Sequence, residues 1–465
     1  MSESTSTSAT EPSPLPLTGL QLQEGRAVPR RRTAAWVLWD WATQPLNTVL
    51  ITFVFVASYL TSDAFLAPEV AALGQGDPTY DRALAGLASN YGYATALAGI
   101  VVALLAPVLG QRADVNGTRK AWLAGTTALL ALSQFALFFV EADPRYFWYG
   151  AIMIGLMQVI QEIAGVNYNA MIVQVATPKT VGKVSGLGWA MGYLGGIVAL
   201  LLVVVVTSFE WFGMDTSNGF AFRVIAVGCG IWTVVFAWPI FVHVPAVPPR
   251  AGAERVGFFR GYVVLARDVK ELWRHARPTL WFLVASAVYR DGLTGVFQFG
   301  AVIAVQSFGF SDSGKNNFGL VALLVAGLAS FGAGWFDDRF GSKRVISVSL
   351  VGLLVAGTVV LVFHPLGAVV FWVAGLFLCL FVGPAQAASR SFLSRVTPAG
   401  RESEVFGLYA TTGRAASFLT PLLWAIVIDL TGATIWGTVA ILAVVLLGYI
   451  LLRLVKEQPQ AVGTQ

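Results

Sequence analysis

The chain has 465 residues, 56% hydrophobic and 12% charged, with 30 Lys and Arg against 25 Asp and Glu for a formal net charge of +5. A soluble protein carries about 25% charged residues. At a mean hydropathy of +0.70 the apolar surface exceeds what a water-soluble core can hide, so lipid is the expected solvent and the positive balance is no sign of nucleic-acid binding.

Residues 1–25, the bulk of a tail at 1–33, are rich in Ser, Thr and Pro and lack the apolar core of a signal peptide. They are expected to form a disordered cytoplasmic tail, so that the first apolar helix acts as its own insertion signal. A spanning helix needs about 20 mostly apolar residues. Such stretches lie near 34–60, 84–110, 120–141, 145–172, 184–207 and 220–243, within an N-terminal half at 34–243. The segment 244–277 opens with Pro245, Pro248 and Pro249. It then reads as an amphipathic basic helix, Phe258 to Ala276, lying on the inner membrane surface. Six further stretches lie near 278–305, 316–337, 343–363, 367–393, 403–428 and 433–454, in a C-terminal half at 278–456, followed by a tail at 457–465. The prediction is an all-α membrane protein of twelve transmembrane helices in two six-helix bundles.

The two halves repeat. Gly110, Asp114, Gly117, Arg119 and Lys120 recur as Gly334, Asp338, Gly341, Lys343 and Arg344, each copy between two apolar stretches. A second echo pairs Thr177-Pro178, Gly186-Leu187 and Gly192 with Thr397-Pro398, Gly407-Leu408 and Gly413. A near-constant offset over half the chain means duplication. Duplicated halves of apolar helices are the ground plan of a secondary transporter, with the substrate site between them.

Lys and Arg set the orientation. If the N-terminus is cytoplasmic, the outside loops hold only Arg82, Arg145, Arg223 and Lys315 of the chain's 30 basic residues. The inside collects Arg30-Arg31-Arg32, both motif loops and the linker's Arg250, Arg255, Arg260, Arg267, Lys270, Arg274 and Arg277. A multi-pass cell-membrane protein with both termini cytoplasmic is expected.

Six charges remain within the spans: Asp40, Glu162, Arg290, Asp291, Arg390 and Arg414. An ionisable group in hydrocarbon costs about 2.5–3.5 kcal/mol on insertion scales, so it faces water, a cavity or a partner. They lie on the first, fourth, seventh, tenth and eleventh helices. The first, fourth, seventh and tenth hold equivalent places in a duplicated bundle, which suggests a polar central cavity. Gln44 and Asn47, Gln158 and Asn167, Tyr289 and Gln298, and Gln386 add polar groups on the same four helices. Arg390, near a cytoplasmic helix end, reads as a residue that snorkels to the interface. Asp40, Glu162 and Asp291 sit where loss of water disfavours charge, and are the candidates for a coupling proton. The motif residues should act in conformation: a carboxylate beside a helix N-terminus is favoured by the dipole, and Gly117 and Gly341 permit a tight reversal. On helix five, Gly188, Gly192 and Gly196 permit close packing; Trp189 and Tyr193 read as packing aromatics.

Other chemistry is poorly supplied. Cys229 and Cys379 sit in apolar runs and three His form no cluster, so neither a metal site nor a disulfide is expected. No nucleophile–base set and no phosphate loop Gly-x-x-x-x-Gly-Lys-Ser/Thr occur. An enzyme, an ATP-driven pump and a cofactor are not expected.

The duplicated loops resemble the signature of the major facilitator superfamily. Trp39-Asp40-Trp41-Ala42, Asn167-Tyr168-Asn169-Ala170, Ser185-Gly186-Leu187-Gly188-Trp189-Ala190, Gly192-Tyr193-Leu194-Gly195-Gly196 and Phe406-Gly407-Leu408-Tyr409-Ala410 resemble its branch of autophagy-related vacuolar effluxers. The resemblance implies the major facilitator fold, alternating access and, through eukaryotic relatives, amino-acid export. This sequence departs from it at Val115, at Thr43-Gln44-Pro45 and at Arg290 within Tyr289-Arg290-Asp291-Gly292. The added Arg290 would shift preference toward an anionic group. The expected activity is carriage of a small polar or charged solute, with membrane lipids, the solute and protons as partners and a monomer as the working unit. The alternatives are export of amphipathic or apolar compounds, and a non-transporting sensor or scaffold.

Overall fold

The computed structural model describes residues 28–115, 118–177, 180–209, 219–246, 258–397 and 402–455. Most of the predicted N-terminal tail, the C-terminal tail, Gly117, Pro178, Pro398, Arg250 and Arg255 fall outside them. Gly110 and Asp114 end the second span, where only the backbone is described. Among the described residues all regular structure is helical.

The spans in chain order are Arg30–Leu60, Pro78–Val115, Arg119–Phe139, Phe147–Ala170, Val181–Ser208 and Phe220–His243, then the linker helix Phe258–His275. The second half follows with Arg277–Phe308, Asp312–Phe340, Ser342–Val362, Ala368–Val396, an eleventh span in two pieces, Glu402–Ala415 and Leu419–Thr431, and Gly437–Leu454. Eleven helices among the described residues are long and apolar enough to cross a membrane. The seventh, with 32 residues, completes the twelve; Arg290, Asp291, Gln298 and Gln306 lower its average hydropathy.

Helix packing repeats with the duplication. The first span packs on the fifth and sixth, the third on the fourth and sixth, and the second on the fourth. Each contact recurs with every position advanced by six: seventh on eleventh and twelfth, ninth on tenth and twelfth, eighth on tenth. The halves meet where the second span packs on the eleventh and the fifth on the eighth, pairs that exchange under the same operation. Outward faces are apolar: Leu328, Val369 and Leu430 are each more than 70% exposed. In water such a belt would be a liability; against lipid it is the natural surface.

Two spans are irregular, and proline explains both. Proline lacks the N–H that would reach the carbonyl four residues back. Pro45 therefore leaves the Trp41 carbonyl open, and the helix continues in π register over Leu46–Phe53 and Phe55–Leu60. The sixth span fills the gap: Trp232 Nε1 donates to the Trp41 carbonyl at 3.1 Å and Thr233 Oγ1 to that of Ala42 at 3.1 Å. Pro421 likewise cannot donate to the Ser417 carbonyl, and the eleventh span breaks at 416–418. Gly195 sits where the fifth span crosses the first. A Cβ there would lie 2.9 Å from the Trp41 carbonyl oxygen, which excludes any larger residue.

The motif loop between the eighth and ninth spans is the single residue Gly341, at φ 86°. Asp338 is exposed. The carboxylate at the ninth helix start belongs instead to its neighbour Asp337, whose Oδ1 accepts from Ser342 Oγ at 2.5 Å and lies 3.3 Å from Arg395 Nη2 on the tenth span. Adjacent helical residues point about 100° apart, so only one of the two can face the ninth helix. Lys343 Nζ donates to the Val455 carbonyl at 2.5 Å, and Arg119 Nη1 donates to the Ala170 carbonyl at 2.9 Å. Both place a cation at a helix C-terminus, where the dipole favours it. The linker helix packs on the second and seventh spans, and Tyr262 donates to the Leu104 carbonyl.

Candidate functional site

The end of the bundle opposite the motif loops is closed by contacts between the halves. Gln306 Nε2 on the seventh span donates to the Thr61 carbonyl at 2.7 Å and the Leu84 carbonyl at 3.3 Å, and its Oε1 accepts from Thr434 Oγ1 at 2.5 Å. Lys315, predicted for an outside loop, lies within the eighth span instead. It is fully buried, donating to the Phe53 carbonyl and to Asn316 Oδ1 at 2.9 Å. The helix starts earlier than the apolar run because Ser311 caps it, accepting from the Gly314 N–H at 3.2 Å. Ser58 of the first span donates to Asp312, and Trp424, stacked on Phe299 of its own half, donates Nε1 to the Ala88 carbonyl at 3.4 Å.

Inside this seal, each half ties its first helix to its fourth. Tyr168 OH donates to Asp40 Oδ2 at 2.9 Å, and the Tyr168 ring lies between Trp36 and Trp39, 4.4 Å from each. In the other half Ser389 donates to the Ala385 carbonyl, so the Tyr289 hydroxyl donates to Ser389 Oγ at 2.6 Å. Tyr289 is completely buried, which places it in the scaffold. Asn167 is also withdrawn: it is buried and bonds back to the Ile163 carbonyl at 2.9 Å. Gln44 faces Gly192 and Gly196 of the fifth span. Asn47 and Gln386 are half-buried on the first and tenth.

The charges sort themselves by partner. Glu162 Oε2 accepts from Arg414 Nε at 2.7 Å, joining the fourth span to the eleventh across the halves. Asp291 Oδ2 accepts from the Thr420 N–H at 2.6 Å, so a seventh-span carboxylate caps the second piece of the broken eleventh span, where the helix dipole favours it. Asp291→Ala is expected to leave that N–H buried and unpaired at a cost of about 1–3 kcal/mol. Thermal unfolding in detergent should drop by several degrees, and Asp291→Asn, which keeps an acceptor oxygen, should recover most of the loss. An unchanged melting point for the alanine variant would refute the cap.

Arg290 stacks on Tyr409 of the eleventh span, 4.2 Å from its centroid, and Nη1 donates to the Tyr409 carbonyl at 3.4 Å. Arg390, whose place near a helix end predicts snorkelling to the interface, is exposed. It reaches across the halves over Trp189 of the fifth span, 5.1 Å from the ring centroid. Trp189, read from the sequence as a packing aromatic, is 52% exposed. Its neighbour Gly188 lies against Asp40, with a Cβ position 3.0 Å from Oδ2. Asp40 and Arg390 thus meet consecutive residues of the fifth span, Gly188 and Trp189. Deeper in, the Tyr91 hydroxyl faces the amides of Gln158 and Gln298, yet Tyr91 OH, Gln158 Nε2 and Gln298 Nε2 are all buried without a hydrogen bond.

Tyr168, Trp189, Tyr409, Tyr91 and Thr420 are not among the sequence-derived site residues. The first three lie within motif segments whose aromatics signal only packing when read alone. Thr420 acts through its main chain, which no pattern of side chains reveals.

Comparison with known proteins agrees with this architecture. An "Uncharacterized MFS-type transporter YxiO" from Bacillus subtilis (strain 168) is 25% identical over 438 residues, 91% of this chain and 94% of that protein. Autophagy-related protein 22 of Cryptococcus neoformans is 26% identical over 277 residues, 56% of this chain and 50% of its own length; the match spans half of that fungal protein. Among solved structures, a point mutant of the nucleoside transporter NupG superposes with a TM-score of 0.63 at 14% identity, covering 91% of this chain and 98% of that one. The inward-open xylose transporter XylE from E. coli gives 0.58 at 16% identity, covering 93% and 96%. These likenesses show the major facilitator fold. The relatives are transporters, not enzymes, and the chain is a multi-pass membrane protein of that type. Residues 175–462 match the family described as "Vacuole effluxer Atg22 like", and the chain belongs to it.

Proposed function

We propose that this transporter carries a small polar solute, an amino acid or a close relative, by rocking its two halves about a site bounded by Asp40, Trp189, Arg290 and Arg390. The observation that carries this reading is that Arg390 reaches across the gap between the halves onto the stretch of the fifth span that packs against Asp40. Asp40 lies against Gly188, one residue along the fifth span from Trp189, over which Arg390 lies. The solute's carboxylate complements Arg390, while Asp40 exchanges the coupling proton. The Gln306–Lys315 seal closes the end opposite the motif loops, and the Glu162–Arg414 pair joins the halves at about the depth of the site, so alternating access must break each of them in turn. In the proposed orientation the motif loops and both termini are cytoplasmic, following the basic residues. Asp40 is the coupling proton's carrier. Glu162 is matched to an arginine and Asp291 to a main-chain N–H, which leaves Asp40 with a neutral phenol alone.

The exporter of apolar compounds has weaker support. The apolar cavity among Phe53, Phe297, Phe318, Phe371 and Leu442 holds about 50 Å³, well below the roughly 300 Å³ or more of a drug-sized site. Counterflow of labelled amino acids into vesicles reconstituted with the purified chain tests the proposal. Accumulation of at least one amino acid above protein-free vesicles is the expected result. Counterflow of apolar drugs alone would overturn it.

A further inference from the structure

Resting on that reading and deepening it, we propose that Arg290 and Arg390 form an anion-binding site between the halves, and that the carried solute presents a carboxylate or phosphate group to it. The argument is one of unmatched charge. Each of the three mid-span carboxylates has a specific local partner: Glu162 has Arg414, Asp291 has the Thr420 N–H and Asp40 has Tyr168. Lys315 has Asp312, Asn316 and a carbonyl. Of the six charges that the sequence places within the spans, Arg290 and Arg390 are the two whose described contacts are aromatic rings and a carbonyl rather than a group of opposite charge or a capping partner.

They are also close enough to feel one another, together with Tyr409 and Tyr193. Two like charges within reach of one another repel. A guanidinium has five N–H donors, and the Arg290 pair of contacts uses one of them. Aromatic faces hold the remaining planes: Tyr409 under Arg290 and Trp189 under Arg390. A guanidinium held over a ring face keeps most of its N–H donors available, and a carboxylate or phosphate can take two of them in parallel.

The eleventh span makes room for this. Gly413 lies against Arg290, its Cβ position 3.0 Å from Nη1, so a larger residue there would push the guanidinium aside. Arg290 belongs to the half containing spans seven to twelve, and Arg390, from the same half, lies on a ring from the other. An anion drawn between the arginines therefore sits at the boundary that moves.

The test uses the full chain purified in detergent, with Arg290→Gln, Arg390→Gln and the double variant. In chloride buffer the variants are expected to melt at or above wild type, since each loses an unmatched charge. Succinate or inorganic phosphate, added at constant ionic strength, should raise the wild-type melting temperature saturably. The shift should fall at least tenfold in apparent affinity in either single variant and vanish in the double. Succinamide, the neutral counterpart of succinate, should have no effect. A shift with succinate alone assigns a carboxylate, and one with phosphate alone a phosphate. No anion shift, or equal shifts in wild type and double variant, overturns the site. Exchange of the bound anion across reconstituted vesicles is read separately. Binding without exchange would sink the carrier reading and leave the anion site standing. Exchange of neutral solutes at rates unchanged in the double variant would do the reverse.

Discussion

Asp40→Asn is expected to abolish uphill accumulation of solute while leaving exchange intact. A proton crossing a 100 mV potential releases about 2.3 kcal/mol, enough for an accumulation ratio of about 50-fold. The variant should bring that ratio to one. Asparagine keeps an acceptor oxygen for the Tyr168 hydroxyl, which now lies 2.9 Å from the carboxylate, and it fits the same space beside Gly188, where a Cβ would already come within 3.0 Å of Oδ2. The fold should therefore survive, and counterflow of a labelled solute, which needs no net proton movement, should stay within about threefold of wild type. The measurement is paired: uptake driven by an imposed proton gradient, then exchange with the gradient collapsed. Accumulation by the variant equal to wild type would remove Asp40 from the coupling. Loss of both activities with an unchanged melting temperature would make Asp40 a solute ligand instead.

The architecture is legible because its signals are local and repeated. A span is one continuous apolar stretch, and the motif at Gly110–Lys120 can be matched to its copy at Gly334–Arg344 without knowing any contact. Even the seventh span, whose polar residues drop it below a simple hydropathy threshold, is marked by its place in the duplication. The pairing of the charges is not legible. Glu162 and Arg414 stand in different halves, and no local pattern says that they meet at 2.7 Å while Arg290 and Asp291, adjacent in sequence, take separate partners on the eleventh span. That separation is helical geometry: adjacent residues point about 100° apart, so Asp291 faces the Thr420 N–H and Arg290 faces Tyr409. The irregular backbones are half legible. Pro45 and Pro421 mark the two breaks, but the carbonyls beside the first are answered by Trp232 and Thr233, on a helix nearly two hundred residues away.

Reversing one charge of the Glu162–Arg414 pair is expected to stop transport, and reversing both to restore it. The pair bridges the halves on the side nearer the motif loops: Glu162 stands eight residues before the end of the fourth span, about 12 Å along its axis. Opening that side must part the two groups, so their attraction sets part of the barrier and part of the resting balance. The Arg414 side chain is 19% exposed and that of Glu162 46%. A fully buried pair broken on one side costs about 3–5 kcal/mol, and exposed pairs contribute about 0–1 kcal/mol. With one partner half in water, about 1–2 kcal/mol is the reasonable span, which corresponds to roughly a tenfold shift between the two end states. Neutralising both, as Glu162→Gln with Arg414→Gln, should favour the state open at the motif end by that factor. A cysteine at Ser185 on the fifth span reports it through its alkylation rate, since the native Cys229 and Cys379 are both buried. Glu162→Arg alone places two guanidiniums face to face and should cost transport at least tenfold; adding Arg414→Glu should recover most of it. A doubly reversed protein no better than either single reversal would mean that the pair is not what joins the halves at this level. The alkylation rate at Ser185→Cys would then be expected to ignore both substitutions.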